Sequence, residues 1–160
     1  MKIVAITAWA QWQPFVDGTY TCSGGRSAAG FDSTIVRIET DAGLTGWGEY
    51  APLGSFYDPA FVGGVTKARL IRDVAVDCGL SVTIEDTGGA QIDTAAIAHL
   101  PLGVPESHRT HTVDFHHWVS VANARFDLVC AHGHMNAPSG PGLGVQVDPS
   151  AFGETILRAH

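Results

Sequence analysis

The side chains that most readily suggest chemistry in this sequence are histidines, four of which occur in two close pairs. His116 and His117 are adjacent, and a single glycine separates His132 from His134. Imidazole nitrogens bind zinc and other transition metals. Neighbouring residues of a strand point to opposite faces, so His116 and His117 on a strand could not readily share one ion. His132 and His134 could share one, but their loop offers no third ligand nearby, so no metal site is predicted.

Nucleophilic catalysis has little support in the sequence. Cys22, Cys78 and Cys130 are odd in number and widely spaced, without a CxxC pair. They therefore predict neither a zinc site nor a disulfide framework, but reduced thiols in a cytoplasmic protein. There is no GxSxG turn that could expose and activate a serine.

The composition is typical of a globular domain with a negative net charge. Of the 160 residues, 45% are hydrophobic and 16% are charged, and the formal net charge is -7. Such a surface repels phosphate backbones and anionic lipids, so we expect neither nucleic-acid nor membrane partners. The apolar run at the N-terminus is interrupted by Gln11 and Gln13 and lacks a cleavage site, so we expect no signal peptide.

The elements that must position these side chains differ between the two halves of the chain. Residues 2–13 and 32–40 contain alternating or β-branched residues and are predicted to be strands. Residues 41–43 form a tight turn that leads into a third predicted strand, 44–50. This first part is therefore an antiparallel meander, interrupted by a glycine-rich loop.

The second part has the pattern of α/β structure. A helix is predicted over 66–78, with Thr66 as its N-cap and Gly79 at its C-terminal end. A short buried strand is predicted over 80–86. A second helix, capped by Asp93-Thr94, ends at Pro101, and residues 111–119 are predicted to be another strand. Helix–strand–helix–strand order is typical of parallel sheets.

Both parts resemble one family, in different regions of it. Residues 31–61, FDSTIVRIETDAGLTGWGEYAPLGSFYDPAF, resemble the N-terminal capping domain of the mandelate racemase/muconate lactonizing branch of the enolase superfamily. The hairpin that ends in GWGE is the most specific part. Residues 62–100 resemble the late (β/α)8 barrel of the same enzymes, 111–119 its eighth strand, and 137–148 the segment that returns to the cap. The most similar subgroup comprises hydroxyproline betaine epimerases and cis-3-hydroxy-L-proline dehydratases.

The resemblance implies that the middle of the barrel is missing. A complete barrel takes about 250 residues, and Phe61–Val65 matches both the end of the cap motif and the start of the barrel motif, which implies an internal deletion there. The family abstracts the proton α to a carboxylate, using lysine bases and Mg2+ held by three carboxylates. This chain has only Lys2 and Lys67, and neither matches a position of a base. The resemblance therefore implies no catalytic residue, metal ligand or cofactor here.

Some substrate-binding positions survive by resemblance. Tyr57 matches the cap loop that closes over substrate, where its ring could receive a cationic ammonium group, or it packs locally at the surface. Glu85, Asp86, Gly88 and Gly89 match the end of the seventh strand, where barrel sites are built. The alternative for Asp86 is a solvated loop carboxylate. The loop EDTGG lacks the aromatic of betaine-binding relatives, which favours a plain amino-acid carboxylate as ligand.

We therefore expect an α+β fold, with a cap-domain meander followed by a helix–strand–helix–strand remnant of a (β/α)8 barrel. The predicted divisions are a partial cap (1–61), late barrel units (62–125) and a segment that returns to the cap (126–160). The first functional hypothesis is a truncated relative of racemases, epimerases and dehydratases that is inactive alone. The second is a binding or assembly module that pairs with itself or a full-length relative, and the third is a new small enzyme. The unpaired edges and helix faces of an incomplete barrel predict a homo-oligomer or an aggregation-prone chain.

Overall fold

The computed structural model of the protein describes residues 1–21, 24–51, 64–85, 88–113, 116–127 and 130–160. The fold is α+β, as the sequence predicts. Its elements are, in chain order, β1 (Ile3–Pro14), β2 (Tyr20–Thr21), β3 (Ser27–Ala28), β4 (Gly30–Thr40), β5 (Thr45–Tyr50), α1 (Val65–Asp77), β6 (Val82–Glu85), α2 (Gln91–His99), β7 (Arg109–Val113), β8 (Ala124–Arg125), β9 (Cys130–Ala131), β10 (His134–Met135), β11 (Gln146–Val147) and β12 (Thr155–Ala159).

A four-stranded antiparallel sheet contains both ends of the chain. Its strand order is β12-β1-β4-β5, so the three strands predicted from the first 50 residues lie side by side. β4 and β5 form the expected hairpin, with Gly43 at a φ of 73° in the turn. Residues two apart in a strand face the same side, and on β4 this places Phe31, Ser33 and Ile35 together on the buried face.

The apolar core lies between this sheet, α2 and the segments that follow it. Ile35 from β4 and Ile92 from α2 are fully buried, and both pack in one cluster with Ala124. The rings of Trp9 and Trp47 lie beside the cluster with their centroids 5.8 Å apart. Because sheet and helix share this cluster, burial of α2 depends on the sheet being formed.

The C-terminal residues complete the sheet. β12 pairs antiparallel with β1, with Ile6 opposite Ala159 and Ala8 opposite Leu157. Just before β12 the backbone passes so close to β1 that a Cβ atom on Gly153 would lie 2.3 Å from the carbonyl oxygen of Ala10. The short apolar piece near the C-terminus is therefore a sheet strand, and only a glycine permits its approach.

The second part of the chain forms a small parallel unit. β6 and β7 pair in parallel, with Val82 opposite Arg109 and Ile84 opposite Thr112. The predicted helix–strand–helix–strand order is thus confirmed over the described residues. A parallel pair needs a crossover connection, and α2 lies in that connection. β6 spans Val82–Glu85 and none of its residues is buried, so the prediction that this strand is buried is wrong. The division of the chain into 1–61, 62–125 and 126–160 stays a prediction.

The predicted start of α1 at residue 66 lies next to the observed one, whereas α2 begins before its predicted cap, Asp93-Thr94. α1 begins at Val65 with Gly64 at its N-cap, and α2 begins at Gln91 with Ala90 at its N-cap. Thr66 and Asp93-Thr94 therefore lie inside the helices rather than at their N-caps. At the start of α2, side chains of other elements accept hydrogen bonds from the first amides, so no capping side chain is needed at the N-cap itself. At the other end of α1, Gly79 adopts a φ of 71° as predicted.

The strand predicted over 111–119 is wrong in its second half. β7 ends at Val113, and His116–Trp118 forms a 3-10 turn. Val119 then forms an isolated antiparallel bridge with Phe15. Within the described ranges, no helix is long and apolar enough to cross a membrane.

The close approach at Gly153 gives a prediction about stability. We expect Gly153→Ala to destabilise the protein by about 1–3 kcal/mol, because the added methyl group would meet the backbone of β1 and push β12 away. The free energy of unfolding can be measured by urea denaturation followed by circular dichroism. Gly46→Ala is the matched control, since a Cβ atom there would meet no atom within 4 Å. Equal stability of the two variants would contradict this account of the approach.

Candidate functional site

An open cleft of about 760 Å³ lies between β5, α1, β6 and α2. Its walls are mainly apolar side chains: Trp47, Val65, Ala68, Ile71, Ala75, Val82, Ile84, Ile92, Ala96, Ile97, Leu100 and Leu143. Its polar members are Glu49, Tyr50, Arg72, Ser81, Thr83, Glu85 and Asp93. A concave apolar site with a few polar groups is the usual form of a small-molecule site, so this cleft is the candidate site.

Glu49 is the most connected carboxylate of the cleft. It belongs to the GWGE end of β5, and its oxygens accept hydrogen bonds from four donors. Two are the backbone amides of Ala90 and Asp93 at the start of α2, at 3.0 and 3.2 Å. The others are the Ser33 hydroxyl at 2.8 Å and the side-chain amide of Asn123 at 2.9 Å. Glu49 therefore caps α2 from another element, where its negative charge also meets the positive end of the helix dipole.

Asn123 extends this arrangement on the other side of the helix start. Its Oδ1 accepts from the backbone amide of Ile92 at 3.2 Å, while its own backbone amide donates to the side chain of Gln91 at 2.9 Å. Asn123 is fully buried, so each of these bonds replaces one that water would otherwise make. Glu49 and Asn123 together satisfy the first amides of α2 and hold the helix against the sheet.

A buried glutamine pair continues the polar network beneath the sheet. Gln11 and Gln13 are two residues apart on β1 and so face the same side, and the amide of Gln13 donates to Oε1 of Gln11 at 3.1 Å. The Gln11 amide donates to the carbonyl of Ala151 at 2.7 Å. These bonds join the N-terminal strand to the segment that leads into β12. In the protein interior such networks are strong only when their members are paired.

The predicted binding residues that the structure describes do not all line the cleft. Glu85, at the end of β6, is exposed and lines the cleft. Gly88 and Gly89 are buried just before α2 and do not line the cleft, and a Cβ atom on Gly89 would collide with the side chain of Asp93. Tyr57 and Asp86 lie outside the described residues. A substrate-binding role for these five residues remains a prediction.

The described part of the cleft does not fit a magnesium site. Nowhere in the described residues do three His, Cys, Asp or Glu side chains come close enough to hold an ion. Mg2+ requires an almost ideal octahedron of oxygen ligands. Both oxygens of Glu49 are already engaged, because they accept hydrogen bonds from protein donors. No catalytic step is therefore assigned to a metal here.

Neither lysine lies in the cleft wall. Lys2 is exposed before the first strand, and its backbone amide donates to Asp41 at 2.8 Å. Lys67 is exposed on the first turn of α1, and the cleft is lined instead by its neighbours Val65 and Ala68. The described cleft wall therefore offers three carboxylates, one tyrosine and one arginine as its ionisable groups, and no lysine that burial could turn into a base.

The first histidine pair does not have the geometry expected from the sequence. His116 and His117 lie on a 3-10 turn rather than a strand, and their ring centroids are 3.8 Å apart. The expectation that they point to opposite faces is therefore wrong. His116 is buried and also packs edge-on against Phe126 at 5.8 Å. His132 and His134 are exposed, at the turn between β9 and β10.

Sequence reasoning missed the two residues on which the site most depends. In the sequence Glu49 stands out only as the last residue of the GWGE motif, and Asn123 belongs to no recognisable motif. A carboxylate at the inner end of a hairpin strand is a usable signal, since such a group needs donors. Nothing in the sequence names those donors, because Ala90 and Asn123 lie 41 and 74 residues further along the chain.

Removal of the Glu49 carboxylate tests its role as a cap. We expect Glu49→Ala to lower the free energy of unfolding by about 2–3 kcal/mol, because the amides of Ala90 and Asp93 and the side chain of Asn123 would lose their acceptor. Hydrogen exchange of the first amides of α2 should also accelerate. Glu39→Ala is the control, since Glu39 pairs with Arg37 near the surface and should cost less than about 1 kcal/mol. Unchanged exchange at Ala90 and Asp93 would refute the cap.

Comparison with solved structures identifies the fold. A protein from Roseovarius nubinhibens ISM, assigned as a mandelate racemase/muconate lactonizing enzyme and solved with magnesium, superposes with a TM-score of 0.87 at 16% identity. The alignment covers 100% of both chains. A protein from Aspergillus oryzae with the same assignment gives a TM-score of 0.83 at 16% identity, covering 99% of each chain. At this level of identity the likeness concerns the fold alone.

Sequence comparison identifies the family. A cis-3-hydroxy-L-proline dehydratase from Roseibium aggregatum is 39% identical over 97 residues, which cover 61% of this chain. The chain spans about a quarter, 26%, of the length of that curated relative. Residues 56–151, more than half of the chain, match the family described as enolase C-terminal domain-like. Since this match and the fold agree, the chain belongs to the enolase C-terminal domain-like family.

Proposed function

We propose that this chain is a partial enolase-superfamily fold, related to racemases and dehydratases of amino-acid carboxylates, that does not catalyse the family reaction by itself. The observation that carries the proposal is the lining of the cleft. Its described wall holds apolar side chains, three carboxylates and Arg72, and neither of the two lysines of the chain.

Abstraction of a proton α to a carboxylate sets two requirements. A base must lie within hydrogen-bond reach of that proton, and positive charge must stabilise the enediolate that forms. Glu49 serves neither need, because its oxygens hold the start of α2. Arg72 donates to the carbonyl of Leu100 at 2.8 Å and pairs with Asp73, so its guanidinium is also engaged. The other ionisable groups of the described wall that could accept a proton are Glu85, exposed at the end of β6, Asp93 in the first turn of α2, and Tyr50 of β5.

The size of the parallel unit supports a truncation. A closed (β/α)8 barrel has eight parallel strands and takes about 250 residues. The described residues contain one parallel pair, β6 and β7, with α1 and α2 beside it. Together with the 26% coverage of the dehydratase, this supports an internal deletion that joined the cap to the late barrel near residues 61–65. The remnant keeps the cap sheet and the helix that the cap holds.

The relative suggests which substrates to test. Cis-3-hydroxy-L-proline is the substrate named for the protein from Roseibium aggregatum, and the lack of an aromatic in EDTGG argues for an unmodified amino acid over a betaine. We therefore propose proline-type carboxylates as the ancestral substrate class. The exposed carboxylate of Glu85 would repel the carboxylate of such a ligand unless a cationic group lay between them.

Proton NMR in D2O tests the proposal. Proline, cis-3-hydroxy-L-proline and their betaines are incubated with the purified chain and Mg2+, and the α-proton signals are followed for a day. We expect no loss of signal beyond the buffer control, since neither lysine of the chain lies in the described wall of the cleft. Loss of an α-proton signal, or appearance of a dehydrated product, would overturn the proposal. If Glu85→Gln then abolished that loss while Glu39→Gln did not, Glu85 would be the base.

A further inference from the structure

The outer face of α1 carries a self-complementary stripe that the cleft does not use. Residues at positions i, i+3, i+7 and i+10 share one face of a helix. On α1 these are Lys67, Leu70, Val74 and Asp77, with the two apolar residues between the two charged ones. The opposite side of the helix, with Ala68 and Ala75, lines the cleft. We call these four residues the α1 stripe.

The two apolar residues of the α1 stripe are exposed to solvent to an unusual degree. Leu70 and Val74 are 57% and 62% exposed, and α1 has no buried residue at all. A surface helix normally buries an apolar stripe against its own domain, and an exposed apolar patch with a polar rim marks an interaction site. Within the described ranges the ion pairs are Arg37–Glu39 and Arg72–Asp73, so neither Lys67 nor Asp77 takes part in one.

The charges of the α1 stripe oppose the dipole of their own helix. The first turn of α1 has Lys67 and no acidic residue, and its last turn has Asp77 and no basic residue. Anions are favoured at a helix N-terminus and cations at its C-terminus, so both charges are unfavourably placed within the monomer. An antiparallel helix alongside would correct both, because its acidic end would lie beside this basic end.

We propose that two copies of this chain associate through antiparallel packing of α1 against α1 about a two-fold axis. An axis through the level of Arg72 places Lys67 opposite Asp77 of the second copy and Leu70 opposite Val74. The same pairs recur in reverse, as a two-fold interface requires. Two salt bridges then flank a central cluster of four apolar side chains. The partner is a second copy of this chain, because the α1 stripe runs from a basic to an acidic residue. When a second stripe lies antiparallel to it, each basic residue faces an acidic one.

The size of this contact determines what the experiment should find. α1 has 13 residues and is about 20 Å long, so one helix pair buries less surface than a standard interface of ~800 Å² per partner. The dimer should therefore dissociate on dilution and weaken as salt screens the charged pairs. This inference does not depend on whether the chain has catalytic activity.

Charge exchange between two variants tests the proposal with the full chain. Lys67→Asp places two acidic groups on the stripe, and Asp77→Lys places two basic groups there. We expect each variant alone to be monomeric in sedimentation equilibrium at a concentration at which the wild-type chain is dimeric. Mixed in equal amounts, the two should form a heterodimer, because every charged pair across the interface then becomes complementary again.

Apolar variants and a control complete the experiment. Leu70→Asp should raise the concentration needed for half-dimerisation at least tenfold, whereas Leu44→Asp, at a similarly exposed leucine in the turn between β4 and β5, should leave it unchanged. Circular dichroism melting verifies that each variant is folded. A wild-type chain that stays monomeric at all concentrations, a dimer insensitive to Leu70→Asp, or charge variants that fail to associate on mixing would overturn the proposal.

Discussion

The structure depends on one carboxylate at the end of a hairpin. Glu49 accepts hydrogen bonds from β4, from the first turn of α2 and from Asn123, and so joins three parts of the chain that are distant in sequence. A half-buried charge is tolerated only when donors surround it, and unsatisfied helix amides are tolerated only when acceptors reach them. The helix amides are the donors that the carboxylate needs, and the carboxylate is the acceptor that the helix amides need. These hydrogen bonds fix the position of α2, which forms one wall of the cleft.

The parallel unit outside α2 is held much less firmly. Among the described residues, β6 and β7 pair only with each other, α1 buries no residue, and the cleft separates them from the sheet. Parallel strands are usually covered on both faces by helices. In the described part of the chain, apolar side chains remain open on the cleft side and on the outer face of α1. The cleft side is concave and suits a small molecule, whereas the outer face of α1 is a helix surface that suits another helix.

Sequence reasoning succeeded where local signals and packing agree. β-branched residues and the turn around Gly43 predicted β4 and β5, and the position of Gly79 predicted the end of α1, because strand alternation and positive φ leave direct traces in residue type. It failed where residues distant in the sequence determine the local structure. Thr66 and Asp93 looked like helix caps, yet α2 is capped from β5, and the strand predicted through His116 gives way to a 3-10 turn. Local patterns also do not reveal that Glu85 lines the cleft whereas Gly89 is buried and does not line it.

The sequence by itself determined the family resemblance, the α+β class and the shortage of lysines, since each of these depends on residue types and their order along the chain. Only the tertiary structure decided which polar groups meet: that Glu49 and Asn123 hold α2, that β12 closes the sheet beside β1, and that the α1 stripe faces outward. The physical reason is the same in each case. Hydrogen bonds and burial are satisfied between residues tens of positions apart, and their pairing is settled by the folded chain as a whole rather than by any local pattern.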